Sequence, residues 1–324
     1  MSEPSSSKLT WAGKLFVLLF VAGCLYGAYY LFARKPIGNK EAAPVAVRES
    51  DEHVRIGIAY GTEKERWMEW AVAEFAKSDE GEGIGIELIP MGSLEGAQAV
   101  LGKDERIHVW SPASALYKDV FLQEWQVRQG GGNPIAREEN LALTPMVFVM
   151  WAERYAAFQQ KYGEISFRTL SQALAEPSGW QTIANKPEWG LFKLGHTHPN
   201  QSNSGLMTLV LMAYDYHQKN RGLTLQDILD PGFVTWLRDF ERAVTGLSNS
   251  TGNLMREMVL KGPSAYDAVV VYESVAIDYL KNAEGRWGEL RVVYPVRNAW
   301  NENPYYVLDV PWSSAEQREA AGKF

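Results

Sequence analysis

The sequence predicts an α/β protein built from two lobes with a ligand cleft between them. Short β-rich runs alternate with amphipathic helical stretches from residue 54 onward. Two later runs are apolar throughout, as strands buried on both faces are. An alternating strand and helix order implies a mostly parallel sheet covered by helices, and such sheets bind ligands at the carboxyl ends of their strands. The loops that follow strands are therefore the places to search for a site.

Composition excludes several classes of function. The 324 residues are 46% hydrophobic, which is enough for well-packed cores. The formal charge of -7 is spread over interspersed acids and bases, so there is no basic stripe for a nucleic acid partner. The sequence contains neither a P-loop nor a dinucleotide fingerprint, and we expect no cofactor.

The N-terminal segment predicts one transmembrane helix before the folded part. Residues 15–32 are apolar and uncharged, with Lys14 before them and Arg34 after them. Their length is at the lower limit for crossing a hydrocarbon core of about 30 Å. Tyr26 and Tyr30 lie toward one end of the run, where aromatic rings favour the headgroup region. Residues 1–14 would then be cytoplasmic and residues 15–32 would contact the lipid bilayer.

Two alternatives to an uncleaved anchor remain open. A removable signal peptide is one, although the apolar run continues past Gly23. The other is lipidation, because Val21, Ala22, Gly23 and Cys24 resemble a lipoprotein processing box in which Cys24 carries the lipid. Residues 33–53 are rich in charged, small and proline residues, which is typical of a linker.

The first lobe begins with three strands, each followed by a helix. Trp67 and Trp70 fall on one predicted helical face, a spacing more typical of core than of a binding surface. The predicted elements are, in order, the strand Val54–Ala59, the helix Glu65–Ala76, the strand Ile84–Pro90, the helix Glu95–Leu101 and the strand Ile107–Trp110.

Hydroxyl and glycine residues follow each of these strands. Thr62 and Glu63 come after the first strand, Ser93 after the second, and Ser111 with Ser114 after the third. Helix N-termini offer unpaired N–H groups and a partial positive charge. Any one of these loops alone is better explained as a helix cap, but three in succession indicate a site that holds an anion or polar solute without a formal cation.

The second lobe is predicted to begin at the apolar strand Leu143–Trp151. Polar loops precede the helices Leu206–Tyr216 and Asn253–Leu260, and the buried strand Ala268–Tyr272 follows. The strand Leu290–Pro295 is expected to return the chain to the first lobe. The prediction assigns residues 54–144 and 290–324 to lobe 1 and residues 145–289 to lobe 2.

Five segments together resemble a known family. They are VWSPASALY, GHTHPNQSNSGL, LSNSTGNL, VYESVAIDYL and PYYVLDVPWSSAEQREAA. In combination they resemble the bacterial type 2 periplasmic solute-binding proteins of ABC transporters, in the branch related to proteins fused to von Willebrand factor A domains. The resemblance covers about residues 54–324. It implies a periplasmic-binding-protein-like fold of two lobes that close on a small-molecule ligand, and membrane transporter subunits as partners.

The resemblance also implies a set of ligand-binding residues from both lobes. Glu63 departs from the family pattern, because a buried carboxylate repels an oxyanion. Either its side chain points away from the ligand or the ligand carries a positive group. The implied residues are Thr62, Glu63, Ser93, Ser111 and Ser114 in the first lobe, and Asn203, Ser204, Gly205, Ser250, Thr251 and Tyr272 in the second.

Two rival chemistries are weaker. His196 and His198 could bind a metal, yet no third ligand has a telling spacing, and loop histidines bonded to backbone explain them as well. Ser111, His196 and Glu273 could be imagined as a hydrolase triad, but no Gly-x-Ser-x-Gly elbow is present. We therefore expect a binding protein and not an enzyme.

The sequence as a whole predicts a membrane-anchored extracytoplasmic protein that captures a small polar or anionic, oxyanion-like solute for transport. The alternative from another class is an envelope sensor or assembly module that uses the same fold for protein contacts.

Overall fold

The computed structural model describes residues 53–283 and 286–324. The predicted N-terminal segment, the span at residues 15–32 and nearly all of the linker at residues 33–53 lie outside the described residues. Within the described ranges, no helix combines the length and the hydropathy needed to cross a membrane.

The first lobe is built on a five-stranded sheet. The strands are β1 (Val54–Tyr60), β2 (Ile84–Pro90), β3 (Val109–Ser111), β4 (Ile135–Asn140) and β11 (Pro304–Leu308), in the order β2-β1-β3-β11-β4. β1 is parallel to β2 and β3, whereas β11 is antiparallel to β3 and β4. The parallel part therefore brings the carboxyl ends of β1, β2 and β3 to one edge, as the alternation predicts.

Helices cover both faces of this sheet. On one face, Met68 of α1 (Glu65–Phe75) and Ala321 of α12 (Ala315–Lys323) pack against Ile56 and Ile58 of β1. The opposite core contains Val100 of α2 (Ser93–Leu101), Phe121 and Trp125 of α3 (Leu116–Gln129), and Ala59 and Trp110 of the sheet. Burial on both sides explains why residues 56–60 of β1 are buried without a break.

The interpretation of Trp67 and Trp70 as core residues is wrong. Trp67 is 41% exposed and Trp70 is 59% exposed, whereas Met68 and Val72 are the buried residues of α1. Residues four apart lie on one helical face, so the sheet selects the Met68 and Val72 face and turns the two indole rings outward.

The second lobe is built on a six-stranded sheet. Its strands are β5 (Thr144–Trp151), β6 (Leu194–Thr197), β7 (Gly246–Ser248), β8 (Ala268–Tyr272), β9 (Leu290–Val293) and β10 (Trp300–Asn301). The order is β10-β5-β8-β6-β7, with β9 paired to β5. β6 is parallel to β7 and β8, and β5 is antiparallel to β8, β9 and β10.

Every residue in β5 and β8 has at least nine-tenths of its surface buried, which matches the apolar sequences of these strands. Phe148, Leu211 and Met255 belong to one continuous core in this lobe. The helices that supply the core are α4 (Ala152–Tyr162), α5 (Phe167–Leu174), α6 (Trp180–Ala184), α7 (Asn203–Tyr216), α9 (Pro231–Ala243), α10 (Thr251–Lys261) and α11 (Glu273–Ala283), with the short α8 (Leu225–Ile228) beside them.

The chain passes between the two sheets at residues 141–143 and again at residues 302–303. The prediction that Leu290–Pro295 returns to the first lobe is wrong, since β9 pairs with β5 over Phe148 to Trp151. An apolar strand that joins a sheet edge has the same sequence pattern in either lobe, so its spacing does not reveal its partner.

The two lobes are in contact at their facing edges. A Cβ atom built on Gly92, at the start of α2, would lie 2.9 Å from the backbone oxygen of Gln201 in the second lobe. The Nη1 atom of Arg66 donates to the backbone oxygen of Asp278 at 3.2 Å. The cleft predicted between the lobes is therefore closed in this conformation.

Candidate functional site

The strand-end loop after β1 reaches across to the second lobe. Residues Thr62–Lys64 form a single 3-10 turn, and this turn contacts α10 and α11. A Cβ built on Gly252, in the first turn of α10, would lie 3.7 Å from the backbone oxygen of Thr62. The loop after β1 and the start of α10 therefore meet at one place between the lobes, which we call the interlobe site.

A buried ion pair lies in this turn. Lys64 and Glu63 have side chains that are each 7% exposed, and their Nζ and Oε1 atoms are 2.6 Å apart. Lys64 also donates to the backbone oxygen of Pro112 at 3.2 Å and to Oδ1 of Asn303 at 3.3 Å. A formal cation therefore lies beside the predicted loops, with its hydrogen bonds made to the protein itself. Burial lowers the pKa of Lys64, and the nearby Glu63 carboxylate partly opposes that change.

The pairing accounts for Glu63, the residue that departs from the family pattern. The Glu63 carboxylate lies against Gly61 and is paired with Lys64. Burial first, and then the charge of Glu63, raises the pKa of Tyr272 well above its usual value and that of Tyr117 to about 12. Glu63 therefore acts electrostatically on a tyrosine of the opposite lobe, while Lys64 balances its charge.

The serines predicted in the first lobe divide into two groups. Ser93 accepts a hydrogen bond from the Ala113 amide at 3.0 Å and so joins the second strand-end loop to the third, whereas Ser114 accepts one from the Leu116 amide at 3.3 Å within its own loop. Ser111, at the end of β3, is fully buried, and its hydroxyl has no partner. A buried hydroxyl without a partner is unusual in a folded protein, and at a strand end it indicates a polar ligand or water.

Asn203 and Tyr272 of the second lobe lie together. The Nδ2 atom of Asn203, in the first turn of α7, donates to the Tyr272 hydroxyl at 2.8 Å and to Oδ1 of Asn301 at 3.1 Å. Asn203 is 2% exposed and Tyr272 is 1% exposed. The Oδ1 atom of Asn203 is buried and has no hydrogen-bond partner. Asn203 and Ser111 are therefore two of the eight buried side chains with an atom that has no hydrogen-bond partner among the described residues, one from each lobe.

Ser204 and Thr251 form the centre of a hydroxyl cluster. The Ser204 hydroxyl lies 2.6 Å from that of Thr197, 2.7 Å from that of Thr251 and 3.2 Å from that of Ser202. The cluster links the starts of α7 and α10 to the end of β6. These hydroxyls therefore join two helix N-termini in the second lobe.

Gly205 and Ser250 have local structural roles. A Cβ on Gly205 would lie 2.2 Å from the backbone oxygen of Thr197, so only glycine lets α7 pack this closely on the end of β6. Ser250 is the N-cap of α10 and accepts from the Asn253 amide at 3.3 Å. Both residues position the helix starts.

The two histidines do not form a metal site in this arrangement. His196 is fully buried, and its ring nitrogens lie 2.8 Å from the Thr197 oxygen and 3.1 Å from Oε1 of Glu241. His198 accepts from the Asn200 amide through Nδ1 at 3.2 Å. Across the described ranges, no three side chains of the His, Cys, Asp and Glu types are grouped so as to hold an ion.

Sequence reasoning missed four residues of the interlobe site. Lys64 could have been noticed, because it directly follows Glu63 in a loop already singled out. The other three could not, because their contacts depend on how the lobes meet. They are Tyr117, Asn301 and Asn303.

No family model matches the sequence, and the search of curated proteins finds no match. Solved structures do resemble the chain. The sulfate-binding protein SubI from Mycobacterium tuberculosis has a TM-score of 0.56 at 15% identity, covering 84% of this chain and 80% of its own. The chain has the fold of the type 2 periplasmic solute-binding proteins. Iron-bound HitA from Pseudomonas aeruginosa has a TM-score of 0.52 at 12% identity, and the match covers 83% of this chain and 79% of HitA. AfuA from Actinobacillus pleuropneumoniae, with bound fructose-6-phosphate, has a TM-score of 0.52 at 12% identity, and the match covers 84% of this chain and 78% of AfuA.

These likenesses establish the two-lobed architecture that the sequence predicts. The likeness to the branch fused to von Willebrand factor A domains stays a prediction from the sequence. The ligand-binding residues named from the sequence likewise stay a prediction.

Proposed function

We propose that the chain is a membrane-anchored, extracytoplasmic solute-binding protein that captures a small polar or anionic solute between its lobes for transport. The observation that supports this most is the pair of buried, unpartnered atoms at the interlobe site, Ser111 Oγ and Asn203 Oδ1. Each comes from a loop or helix start where this fold binds ligands. Leaving either atom unsatisfied costs about 1–3 kcal/mol, which a bound solute would recover.

Helix N-termini add to the attraction of the site. α7 and α10 begin beside the hydroxyl cluster centred on Ser204, and their first amides have no partner within the helix. The partial positive charge at each start favours an electron-rich group on the ligand. No catalytic role is proposed.

A thermal-shift screen tests the proposal. The probes are molybdate, tungstate, sulfate, phosphate, amino acids, sugars and polyols. A ligand that binds only the folded chain stabilises it by about 2.7 kcal/mol at 100 times its Kd, so its midpoint should rise with concentration. No rise with any probe would count against solute binding.

A double substitution locates the site. We expect Ser204→Ala together with Thr251→Ala to abolish the shift, because the hydroxyl cluster fixes both helix starts. Thr235→Ala is the matched control, since its hydroxyl bonds only the Pro231 oxygen on an exposed part of α9. Unchanged affinity in the double variant would refute this location.

The second candidate function is an envelope sensor or assembly module. The exposed Trp67 and Trp70 favour it, because large aromatic side chains on a surface are typical of protein contacts. A chain that responds to no solute but binds another envelope protein, and loses that binding on Trp70→Ala, would support this candidate over transport.

The anchor proposal rests on residues 15–32 and has its own test. The full chain should stay in the membrane pellet after an alkaline wash and leave it with detergent. Cys24→Ser separates the two forms of anchor: a span is unchanged in size and carries no fatty-acid label in either form, whereas a lipoprotein loses the label of a fatty-acid probe and keeps its uncleaved N-terminal segment.

A further inference from the structure

The orientation of the Asn203 amide is fixed by its neighbours. The backbone oxygen of Thr144 can only accept, so the group that faces it at 3.2 Å is Nδ2 of Asn301. The Oδ1 atom of Asn301 therefore faces Asn203, and it must accept from Nδ2 of Asn203 at 3.1 Å. The second hydrogen of that nitrogen goes to Tyr272. These hydrogen bonds leave Oδ1 of Asn203 as a buried atom without a partner, and an amide oxygen can only accept.

A donor lies beside this acceptor. Tyr272 receives the Asn203 hydrogen on its oxygen, so its own hydroxyl hydrogen is available to a ligand. Burial keeps the pKa of Tyr272 far above neutral pH, and the hydroxyl therefore stays protonated. Asn203 and Tyr272 together present one acceptor and one donor, which complement a group that both donates and accepts.

Charge at the site does not favour a bare anion. The three hydrogens of the Lys64 ammonium are directed at Glu63, Pro112 and Asn303, so this cation has no hydrogen left for a ligand. A fully deprotonated oxyanion would bring its lone pairs against the Asn203 oxygen and close to the Glu63 carboxylate.

We propose, on the basis of the solute-binding function above, that the ligand carries an O–H group which donates to Oδ1 of Asn203 and accepts from Tyr272. The group is either a hydroxyl of a polyol or sugar or the protonated oxygen of an acid such as monohydrogen phosphate. Sulfate and molybdate carry no such hydrogen at neutral pH and are rejected.

Isothermal titration of the full chain at pH 7 with phosphate, sulfate, molybdate and ribitol tests the assignment. We expect phosphate or ribitol to bind at least about tenfold more tightly than sulfate and molybdate, because an unpaired buried acceptor discriminates strongly against analogues that lack the donor. Binding by phosphate alone identifies a protonated acid, and binding by ribitol alone identifies a polyol hydroxyl.

If sulfate or molybdate bound as tightly as phosphate and ribitol, the requirement for a donor on the ligand would be refuted, while the proposed solute-binding function would stand. Absence of binding by every probe would instead count against the proposed function, and the donor requirement would fall with it. These two failures are thus distinguishable.

Two substitutions test the assigned atoms. Asn203→Ala should lower the affinity for the probe that carries the O–H group by about tenfold or more without lowering the affinity for sulfate. Tyr272→Phe keeps the acceptor and removes the donor, so overall affinity should fall while rejection of sulfate persists. Rejection of sulfate that persists in Asn203→Ala would refute the assignment. Circular dichroism checks that each variant folds, and if Asn203→Ala does not, the wild-type ranking decides.

Discussion

Replacing Lys64 by methionine should destabilise the protein strongly. Methionine keeps a similar length but removes the charge that balances Glu63, whose carboxylate is 7% exposed. Removing one partner of a buried ion pair leaves an uncompensated charge and costs about 3–5 kcal/mol. The contacts of Lys64 with Pro112 and Asn303 are lost as well, so we expect the upper part of that range.

The matched control is the double variant Glu63→Gln with Lys64→Met. It removes both charges, and replacing a buried pair by neutral residues is often close to neutral. We therefore expect the double variant to recover most of the stability lost in Lys64→Met. The measurement is the free energy of unfolding from urea titration, followed by tryptophan fluorescence and by circular dichroism, with coincident transitions as the test of two-state behaviour.

Dependence on pH gives a second readout of the same pair. In Glu63→Gln, Lys64 loses the carboxylate that opposes the effect of burial, so its pKa in the folded state should fall further below 10.5. Between the folded pKa and 10.5 the unfolded state binds more protons, and stability therefore rises with pH in that window. A loss below about 1 kcal/mol in Lys64→Met, or a double variant as unstable as the single one, would refute the role assigned to the pair.

Three further predictions concern folding. The pKa of Tyr272 lies well above its usual 10.0, so above pH 10 the native state keeps a proton that the unfolded state loses, and the stability of the fold should decrease. The measurement is the urea midpoint as a function of pH, which should decrease less steeply in Tyr272→Phe than in the wild type. Ser204→Ala leaves the Thr251 hydroxyl without its partner and should lower the unfolding free energy by about 1–3 kcal/mol in urea titration, whereas an unchanged value would show that the cluster is not structural. Gly205→Ala places a Cβ 2.2 Å from a backbone oxygen and should lower the free energy of unfolding by about 1–3 kcal/mol or more, measured by thermal melting. Gly252→Ala is the control that should be tolerated in the same measurement, because its nearest contact lies at 3.7 Å.

The sequence predicted the architecture because its signals are local. Apolar runs such as Ala268–Tyr272 match a strand buried on both faces, and polar caps such as Ser250 mark where helices begin. Boundaries shifted by a few residues, as for α2, which begins at Ser93 where a helix from Glu95 was expected. Such shifts follow from caps and first turns, whose residues carry little periodicity.

Features that depend on contacts distant in sequence were not predictable. β4 reads IAREEN and is mostly exposed, so neither alternation nor an apolar run marks it, and its pairing with β11 holds it in the sheet. The burial of Lys64 depends on an acceptor at Asn303, 239 positions away. The Ser93 hydroxyl accepts from the Ala113 amide, a contact that depends on the second and third loops being adjacent.

Asn301 and Asn303 flank the point where the chain leaves the second sheet for the first. Asn301 orients the amide of Asn203, and Asn303 receives the ammonium of Lys64. Lys64 of the first lobe and Asn203 of the second are therefore hydrogen-bonded to the same short connecting segment, on either side of residue 302. Rotation of one lobe against the other turns this segment, so opening the cleft would disturb the arrangement of polar groups on both sides at once. Under the proposed function, the connection between the lobes and the groups that recognise the solute share one stretch of backbone, and affinity should depend on the conformation of this connection as well as on the residues that face the solute.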